Sequence, residues 1–360
     1  MEQPQNAPST NPLTKTASLL IIITLVIIGL VYAQEQLVPI VLALFLWFIV
    51  KTIVRLLNRI PFIENKIPSW LSNILAFGLI ILFCFLAGQM LYTNIEELSE
   101  SLPLYEANIN YIIEKINMTF MIDLKVIAKN TFKDFDFTNI VMSLINALTN
   151  IFGDTFMIVL YTLFMLSEEA LFTPKLKAIA SNKESYSRVK NTLSEINESI
   201  GSYITLKSLV SLLTAFLSFL ALSFIGVDAP VFWAFLIFVL NFIPTIGSLI
   251  ATGFPAIFAL LQFGDYFHPL LVLGVVGAIQ LIVGNMIEPR VMGNSLNISP
   301  LVVIIALSIW GAIWGINGMI LSVPITVIAI IIFSKIPSTQ SIAILLSEKG
   351  KLNNTEIADS

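Results

Sequence analysis

The chain has 360 residues, of which 57% are hydrophobic and only 12% are charged, and its net charge is −4. Soluble domains carry about 25% charged residues, so this composition argues against a water-soluble fold. A single cysteine and a single histidine exclude a disulfide framework and metal sites built from several such residues. No basic tract with interleaved aromatic residues indicates a nucleic-acid partner.

The apolar runs predict an all-α membrane protein. Residues 1–16 are polar and predict a disordered cytoplasmic tail. A bilayer span needs about 20 apolar residues, and clear spans are predicted at 17–33, 37–54, 71–91, 151–172 and 204–225. Less regular segments follow at 229–243, 245–263, 269–287 and 300–333, which gives about eight transmembrane helices. The first run is longer than a signal-peptide core, so we expect it to be retained as a span.

The distribution of lysine and arginine predicts the orientation of the spans, because cytoplasmic loops carry an excess of both. The loop after the second span and residues 173–203 are basic, so we expect them in the cytoplasm. The insert 93–150 carries eight acids and four lysines, so we expect it outside. The predicted order is therefore three spans over 17–92, an extracytoplasmic helical insert over 93–150, a core over 151–335 and a cytoplasmic tail over 336–360.

Two segments outside the spans show apolar helical faces. In the insert, such residues recur at intervals of three or four, at Tyr105, Ile109, Ile112, Ile116 and Phe120. This face packs either onto the membrane or its own domain, or onto another subunit. A second apolar seam crosses the cytoplasmic segment 184–203 and continues into the next span. It predicts packing against another helix, within the chain or in a partner.

The distal core is apolar but repeatedly interrupted. Residues 229–334 contain only three charged side chains, and prolines and glycines divide the run in two places. In hydrocarbon, broken helices persist only where protein or a polar cavity receives the freed backbone groups. Two such breaks in one chain indicate a transport site. The sequence has no nucleotide-binding, catalytic or cofactor motif, so we expect neither an ATP-driven pump nor an enzyme.

The first break contains Asn241, Pro244, Thr245, Gly247 and Ser248. Pro244 lacks a backbone donor and interrupts the helix, which frees carbonyl groups about one turn earlier. The polar side chains beside it either cap a simple kink or contact a solute or ion.

The second break, at Pro300, Gly311, Gly315, Gly318 and Pro324, lies in the last apolar segment. A second group of polar side chains precedes it and contains Asn285, Glu288, Pro289, Arg290 and Gly293. Ionised groups at membrane depth normally pair or line water. Glu288 and Arg290 therefore either anchor a helix end at the headgroups or belong to the pathway. In the second case Glu288 is a proton or cation site, and Arg290 is its partner or a clamp for an anionic or polyol solute.

The last apolar segment begins at Pro300 and is either one tilted span or a hairpin bent near residues 311–318. Its glycines are Gly311, Gly315 and Gly318. They either permit close helix packing or form the flexible tip of the hairpin, with Asn317 available to a solute. Gln280, in the preceding span, offers either an interhelical hydrogen bond or a pathway contact.

Three short runs carry a resemblance to a known family. They are Phe-Ile-Pro-x-x-Gly ending at Gly247, Ile-Glu-Pro-Arg-x-x-Gly ending at Gly293, and Ser-Pro-Leu-Val beginning at Ser299. With the order of elements over residues 15–335, they resemble the autoinducer-2 exporter family of bacterial permeases. The resemblance implies a multispan inner-membrane protein that forms homo-oligomers, with pentamers suggested. It also implies export of a small polar molecule such as autoinducer-2, although some relatives resemble sodium/proton antiporters.

These observations predict a secondary transporter with alternating access and its site between the two breaks. Its partners are the lipid bilayer, a small polar solute and a coupling proton or Na⁺, without a cofactor. The predicted solute contacts are Asn241, Thr245, Asn285 and Asn317. Glu288 and Arg290 couple charge movement, and Pro244 and Gly247 complete the predicted substrate and ion pathway and shape its hinge. The other hinge and packing positions are Pro289, Gly293, Pro300, Gly311, Gly315 and Gly318. The alternatives are a cation/proton antiporter and a non-transporting membrane scaffold that binds a partner through its insert.

Overall fold

The computed structural model describes residues 12–58, 68–101, parts of 104–118, 155–293 and 296–350. These residues are almost entirely helical and contain no β-strand. The helices are α1 (Pro12–Tyr32), α2 (Gln34–Leu57), α3 (Ser69–Glu100), α4 (Thr155–Ile179), α5 (Lys183–Ile225), α6 (Pro230–Leu240), α7 (Ile246–Phe263), α8 (Phe267–Ile282), α9 (Glu288–Met292), α10 (Pro300–Lys335) and α11 (Gln340–Leu346). A π-helical turn, Val283–Ile287, joins α8 to α9.

The prediction of an all-α membrane protein is confirmed. By length and composition alone, seven helical segments among the described residues could cross a bilayer: α2, most of α3, α4, α5, α7, the continuous segment from α8 to α9, and α10 if its bend, described below, is ignored. Much of α1 and α3 is exposed apolar surface, including Leu25 at 61% and Phe85 at 60%. Such faces are stable in hydrocarbon and unfavourable in water.

Helix α5 is one continuous element of 43 residues. It contains both the predicted cytoplasmic segment 184–203 and the predicted span 204–225. At 1.5 Å per residue it is about 65 Å long, so it extends well beyond a hydrocarbon layer of about 30 Å. Asn182 caps its start by accepting the Ser185 N–H at 2.7 Å. The predicted seam is buried at Ile196 and Ile200 against α2 and α10 within the chain, whereas Val189 and Leu193 in its first half are exposed.

Helices α6 and α7 form a helical hairpin, called here the first hairpin. With 11 residues, α6 is about 17 Å long and too short to cross a bilayer alone. The open end is tied by Gln262, whose Nε2 donates to the Gly226 carbonyl at 2.9 Å while its Oε1 accepts the Asp228 N–H at 2.8 Å. The chain therefore enters and returns to the same level, with residues 241–245 at the tip.

Helix α10 also bends back on itself, as the second hairpin. Trp314 and Gly315 leave the helical region, with Gly315 at φ 59° and ψ −138°. A Cβ atom on Gly318 would lie 1.9 Å from the Trp310 carbonyl oxygen, so the two arms touch through their backbones. Of the two predicted alternatives, the hairpin is correct and the single tilted span is wrong.

The insert packs onto the open end of the first hairpin. Tyr105 is 1% exposed, its hydroxyl donates to Asp228 Oδ2 at 2.9 Å, and its ring meets Phe258 edge to face. Asn108 Nδ2 donates to the carbonyls of Leu261 and Gln262 at 3.0 and 2.7 Å. The buried Tyr105 and Ile112 belong to the predicted apolar face, while Ile109, Ile116 and Phe120 lie outside the described residues. The described part of this face thus contacts its own chain.

Candidate functional site

The tip of the first hairpin is a tight turn in which the backbone N–H groups of residues 241–243, 246 and 247 are hydrogen-bonded. After α6, the N–H groups of Asn241 and Ile243 donate to the carbonyls of Ile237 and Leu240 at 3.0 and 2.9 Å. Gly247 then donates to the Ile243 carbonyl at 3.1 Å. The proline break is therefore compensated within the tip, as a helix break inside a membrane requires.

Thr245 occupies a strained position at this tip. Its φ is 60° and its ψ is −57°, and the Ile246 N–H donates across it to the Pro244 carbonyl at 2.6 Å. This is the rare γ-turn with positive φ, a conformation that β-branched residues almost never adopt. Strain of this kind is of order 1–3 kcal/mol and tends to occur at functional sites. The turn presents the Thr245 side chain, which is exposed, to the space beside the tip.

Gly247 allows the arms of the first hairpin to meet. A Cβ atom there would lie 1.8 Å from the Leu240 carbonyl oxygen, so any other residue would force the backbone apart. Gly247 was predicted to belong to the pathway; it is buried at the hairpin and is not among the cavity-lining residues.

A π-helical turn shapes the opposite wall. The Glu288 N–H donates to the Val283 carbonyl, five residues earlier, instead of the usual four. Pro289 follows directly and has no N–H to offer to Asn285, which favours this wider turn. Such π-turns are frequent at functional sites. Here the turn places Asn285 and Glu288, together with Gln280 one turn before it, on the wall of one cavity.

An ion pair joins α5 to this wall. Lys207 Nζ contacts Glu288 Oε1, with the lysine side chain 9% and the glutamate side chain 24% exposed. Burying two charges is expensive, so their mutual contact is what makes the arrangement tolerable. The prediction that Arg290 is the partner of Glu288 is wrong, because residues two apart on a helix point to different sides. Arg290 is exposed and outside the cavity.

Together these elements enclose the central cavity, with a volume of about 500 Å³. Ligand pockets for small molecules typically measure about 300–1,000 Å³. The polar lining consists of Tyr203, Lys207, Thr214, Asn241, Thr245, Ser248, Gln280, Asn285 and Glu288. The apolar lining includes Ile243, Leu249, Met292, Leu296, Val303 and Val323, the last two from the arms of the second hairpin.

The structure brings together five of the predicted pathway residues: Asn241, Pro244, Thr245, Asn285 and Glu288. Asn317 and the tip glycines of the second hairpin are not among the cavity-lining residues. That tip packs elsewhere, since Trp314 Nε1 donates to the Leu30 carbonyl of α1 at 3.1 Å. Pro300 starts α10, and Gly293 ends α9 with φ 50°.

Sequence reasoning missed Lys207, Tyr203 as a cavity residue, and Thr214. All three lie on one face of α5, at intervals of four and seven residues, within or next to an apolar span. The signal was a lysine inside an apolar run, because a charge at membrane depth is a functional candidate by default. Within the described part of the chain, no group of three or more His, Cys, Asp or Glu could hold a metal ion.

The fold and the cavity are those of a multi-pass α-helical membrane transporter. The chain belongs to the AI-2E transporter family, since the profile described as "AI-2E family transporter" matches residues 20–338. This confirms the resemblance drawn from the three short motifs.

Individual relatives match over nearly the whole chain. A protein of Borreliella burgdorferi, whose name gives transport as a supposed role, is 33% identical over 93% of this chain and 91% of its own length. A similarly named protein of Haemophilus influenzae is 32% identical over 91% and 94%. The AI-2 transport protein TqsA of Escherichia coli is 30% identical over 94% and 96%.

Proposed function

We propose that the protein is a secondary transporter that exports a small polar solute without net charge, with autoinducer-2 in its furanone form as the first candidate. The observation that carries this proposal is the charge balance of the central cavity. Its lining contains one cation and one anion, Lys207 and Glu288, and they contact each other. The remaining polar liners are neutral hydroxyl and amide groups, which bind hydroxyl and carbonyl oxygens.

A charged solute is disfavoured by the same argument. A cation or an anion in this cavity would have no unpaired opposite charge unless it first separated Lys207 from Glu288. Moving an ion from water into such a site without compensation is strongly unfavourable. The name of the E. coli relative, an AI-2 transport protein, agrees with a small polar solute.

Alternating access would use the tip of the first hairpin. This tip is held by a strained turn at Thr245 and by the backbone contact at Gly247, so it is a compact body that can move as a unit. Since the sequence has no nucleotide-binding loop, the energy would come from a solute or ion gradient. The Lys207–Glu288 pair would couple the two, because a proton or cation on Glu288 weakens its contact with Lys207.

A cation/proton antiporter is the second candidate, and the ion pair favours it. Glu288 is the carboxylate that lines the cavity, and it can exchange Lys207 for Na⁺ or a proton. We further propose a bacterial inner-membrane location with both termini in the cytoplasm, supported by the lysine and arginine distribution. Homo-oligomers, with pentamers suggested, remain the expectation from the family resemblance.

Flux into and out of proteoliposomes tests the proposal. Purified protein is compared with Glu288→Gln for the flux of autoinducer-2, lactate and choline, under imposed pH or Na⁺ gradients. The proposal predicts flux of autoinducer-2 by the wild type, little flux of the two charged solutes, and loss of gradient-driven flux in Glu288→Gln. Sodium-dependent collapse of a pH gradient without any organic solute would favour the antiporter instead. Equal flux in protein-free liposomes would contradict transport.

A further inference from the structure

Two polar atoms in the wall of the central cavity have no hydrogen-bond partner. They are the hydroxyl oxygen of Tyr203 on α5 and the side-chain nitrogen Nε2 of Gln280 on α8. Both residues line the cavity, while the two atoms are buried within its wall, so a solute reaches them only when the side chains turn into the cavity. A buried donor or acceptor without a partner is unfavourable, and most such groups in folded proteins are bonded. Two of them beside one cavity indicate that a bound molecule completes their hydrogen bonds.

Several neighbouring polar groups of the cavity are already satisfied by the protein. Lys207 and Glu288 contact each other. Thr214 Oγ1 donates to the carbonyl four residues earlier at 2.9 Å, and Ser248 Oγ donates to the carbonyl three residues earlier at 2.8 Å. These groups would have to give up an existing bond to contact a solute, whereas Tyr203 and Gln280 would not.

The position of Tyr203 connects it to the ion pair. It precedes Lys207 by four residues, so both side chains lie on the same face of α5. Tyr203 is 2% exposed and lines the same cavity as Lys207 and Glu288. Lys207 and Glu288 contact each other, whereas the Tyr203 hydroxyl has no hydrogen-bond partner.

We propose that Tyr203 and Gln280 recognise the solute by direct hydrogen bonds and select molecules that carry hydroxyl or carbonyl oxygens. This inference rests on the proposed transport of a small polar solute through the same cavity. The amide nitrogen of Gln280 only donates, so it requires an oxygen on the solute, and the phenol of Tyr203 both donates and accepts. A hydroxyl group satisfies either residue, whereas an apolar solute of the same size leaves both unbonded.

The test separates recognition from structure with a matched control on the same helix. Tyr203→Phe and Gln280→Met remove the unpaired groups while keeping most of the side-chain volume. Ser211→Ala removes another buried, unpaired hydroxyl of α5 that does not line the cavity. The KM and maximal rate of autoinducer-2 flux are measured in proteoliposomes for the wild type and the three variants. The thermal unfolding temperature of each empty protein is measured in detergent.

Recognition predicts that the KM rises about 10-fold in Tyr203→Phe and in Gln280→Met, the effect of about 1.4 kcal/mol of lost binding. The maximal rate stays within about two-fold, and Ser211→Ala leaves the KM unchanged. Neither cavity variant unfolds at a lower temperature, because the removed group has no partner in the empty protein.

An unchanged KM in both cavity variants, with normal wild-type flux, overturns the inference and leaves the proposed function intact. Unfolding at a lower temperature in Tyr203→Phe and Gln280→Met also overturns it, because it shows that the protein itself bonds these groups. Absence of wild-type flux of autoinducer-2 instead contradicts the proposed function.

Discussion

The first hairpin should tolerate an added methyl group at Gly253 but not at Gly247. Both glycines lie on α7, so the same substitution can be compared within one helix. The Cβ atom of Gly247→Ala would lie 1.8 Å from the Leu240 carbonyl oxygen, whereas no atom lies within 4 Å of the corresponding Cβ at Gly253. Ordinary contact begins at 3.4 Å, so the arms would have to separate by about 1.6 Å at this point.

The two substitutions should have opposite effects on the free energy of unfolding. Overpacking costs about 1–3 kcal/mol, and more when backbone must move. Replacing an unconstrained helical glycine by alanine stabilises a helix by about 0.5–1 kcal/mol. The variants should therefore differ by about 1.5–4 kcal/mol, with Gly247→Ala the less stable.

The assay is thermal unfolding of both variants in one detergent, together with autoinducer-2 flux in proteoliposomes. We expect Gly247→Ala to unfold at a lower temperature than the wild type and to lose most of its flux, because the tip that holds Thr245 shifts. Gly253→Ala should unfold at the same or a higher temperature and keep its flux. Equal stability and flux in the two variants would refute the close approach of the arms.

Three further predictions concern the ion pair, the Asp265 carboxylate and the contact between Tyr105 and Asp228. Glu288→Gln leaves Lys207 buried without a counter-charge, so it should destabilise the protein by about 3 kcal/mol. The double variant that also carries Lys207→Gln should recover most of this stability in thermal unfolding. Equal unfolding temperatures of the single and the double variant would contradict the ion pair. The pKa of Asp265 lies below its ordinary value, first because the backbone N–H of His268 donates to the carboxylate. Because the pKa is lowered in the folded protein, this contact contributes fully at neutral pH and is lost only below about pH 4. The His268 amide signal in NMR should therefore titrate with a midpoint below 3.8. Tyr105→Phe removes the hydrogen bond from the insert to Asp228 and should lower the stability by about 1 kcal/mol, with an unchanged unfolding temperature as the contrary result.

Hydropathy predicted most of the helices because burial in lipid imposes long apolar runs. The first break was also predictable, because Pro244 cannot continue a helix. Whether 300–333 crossed the bilayer or turned back depended on contacts between Gly318 and Trp310. Such contacts form only when the arms are folded together, so a pattern along the chain does not contain them.

The ion pair shows where reasoning along the sequence is weakest. Glu288 and Arg290 are neighbours in sequence, yet two residues on a helix separate side chains onto different sides. The actual partner, Lys207, is 81 positions away. Its contact depends on the packing of α5 against the π-helical turn, which only the fold brings together. A lysine within a predicted span was nevertheless a readable signal.

The central claim is that water and solute reach the cavity beside the first hairpin tip. The sequence has a single cysteine, Cys84, so a Cys84→Ser background allows one new thiol to be placed at will. In that background, Asn285→Cys lines the cavity and Ile257→Cys lies on the exposed apolar side of α7. The rate of modification by a small charged thiosulfonate is measured in membranes with and without autoinducer-2. The account predicts that Asn285→Cys reacts, that autoinducer-2 slows this reaction, and that Ile257→Cys does not react. A cysteine at 285 that is unreactive from both sides of the membrane would contradict it.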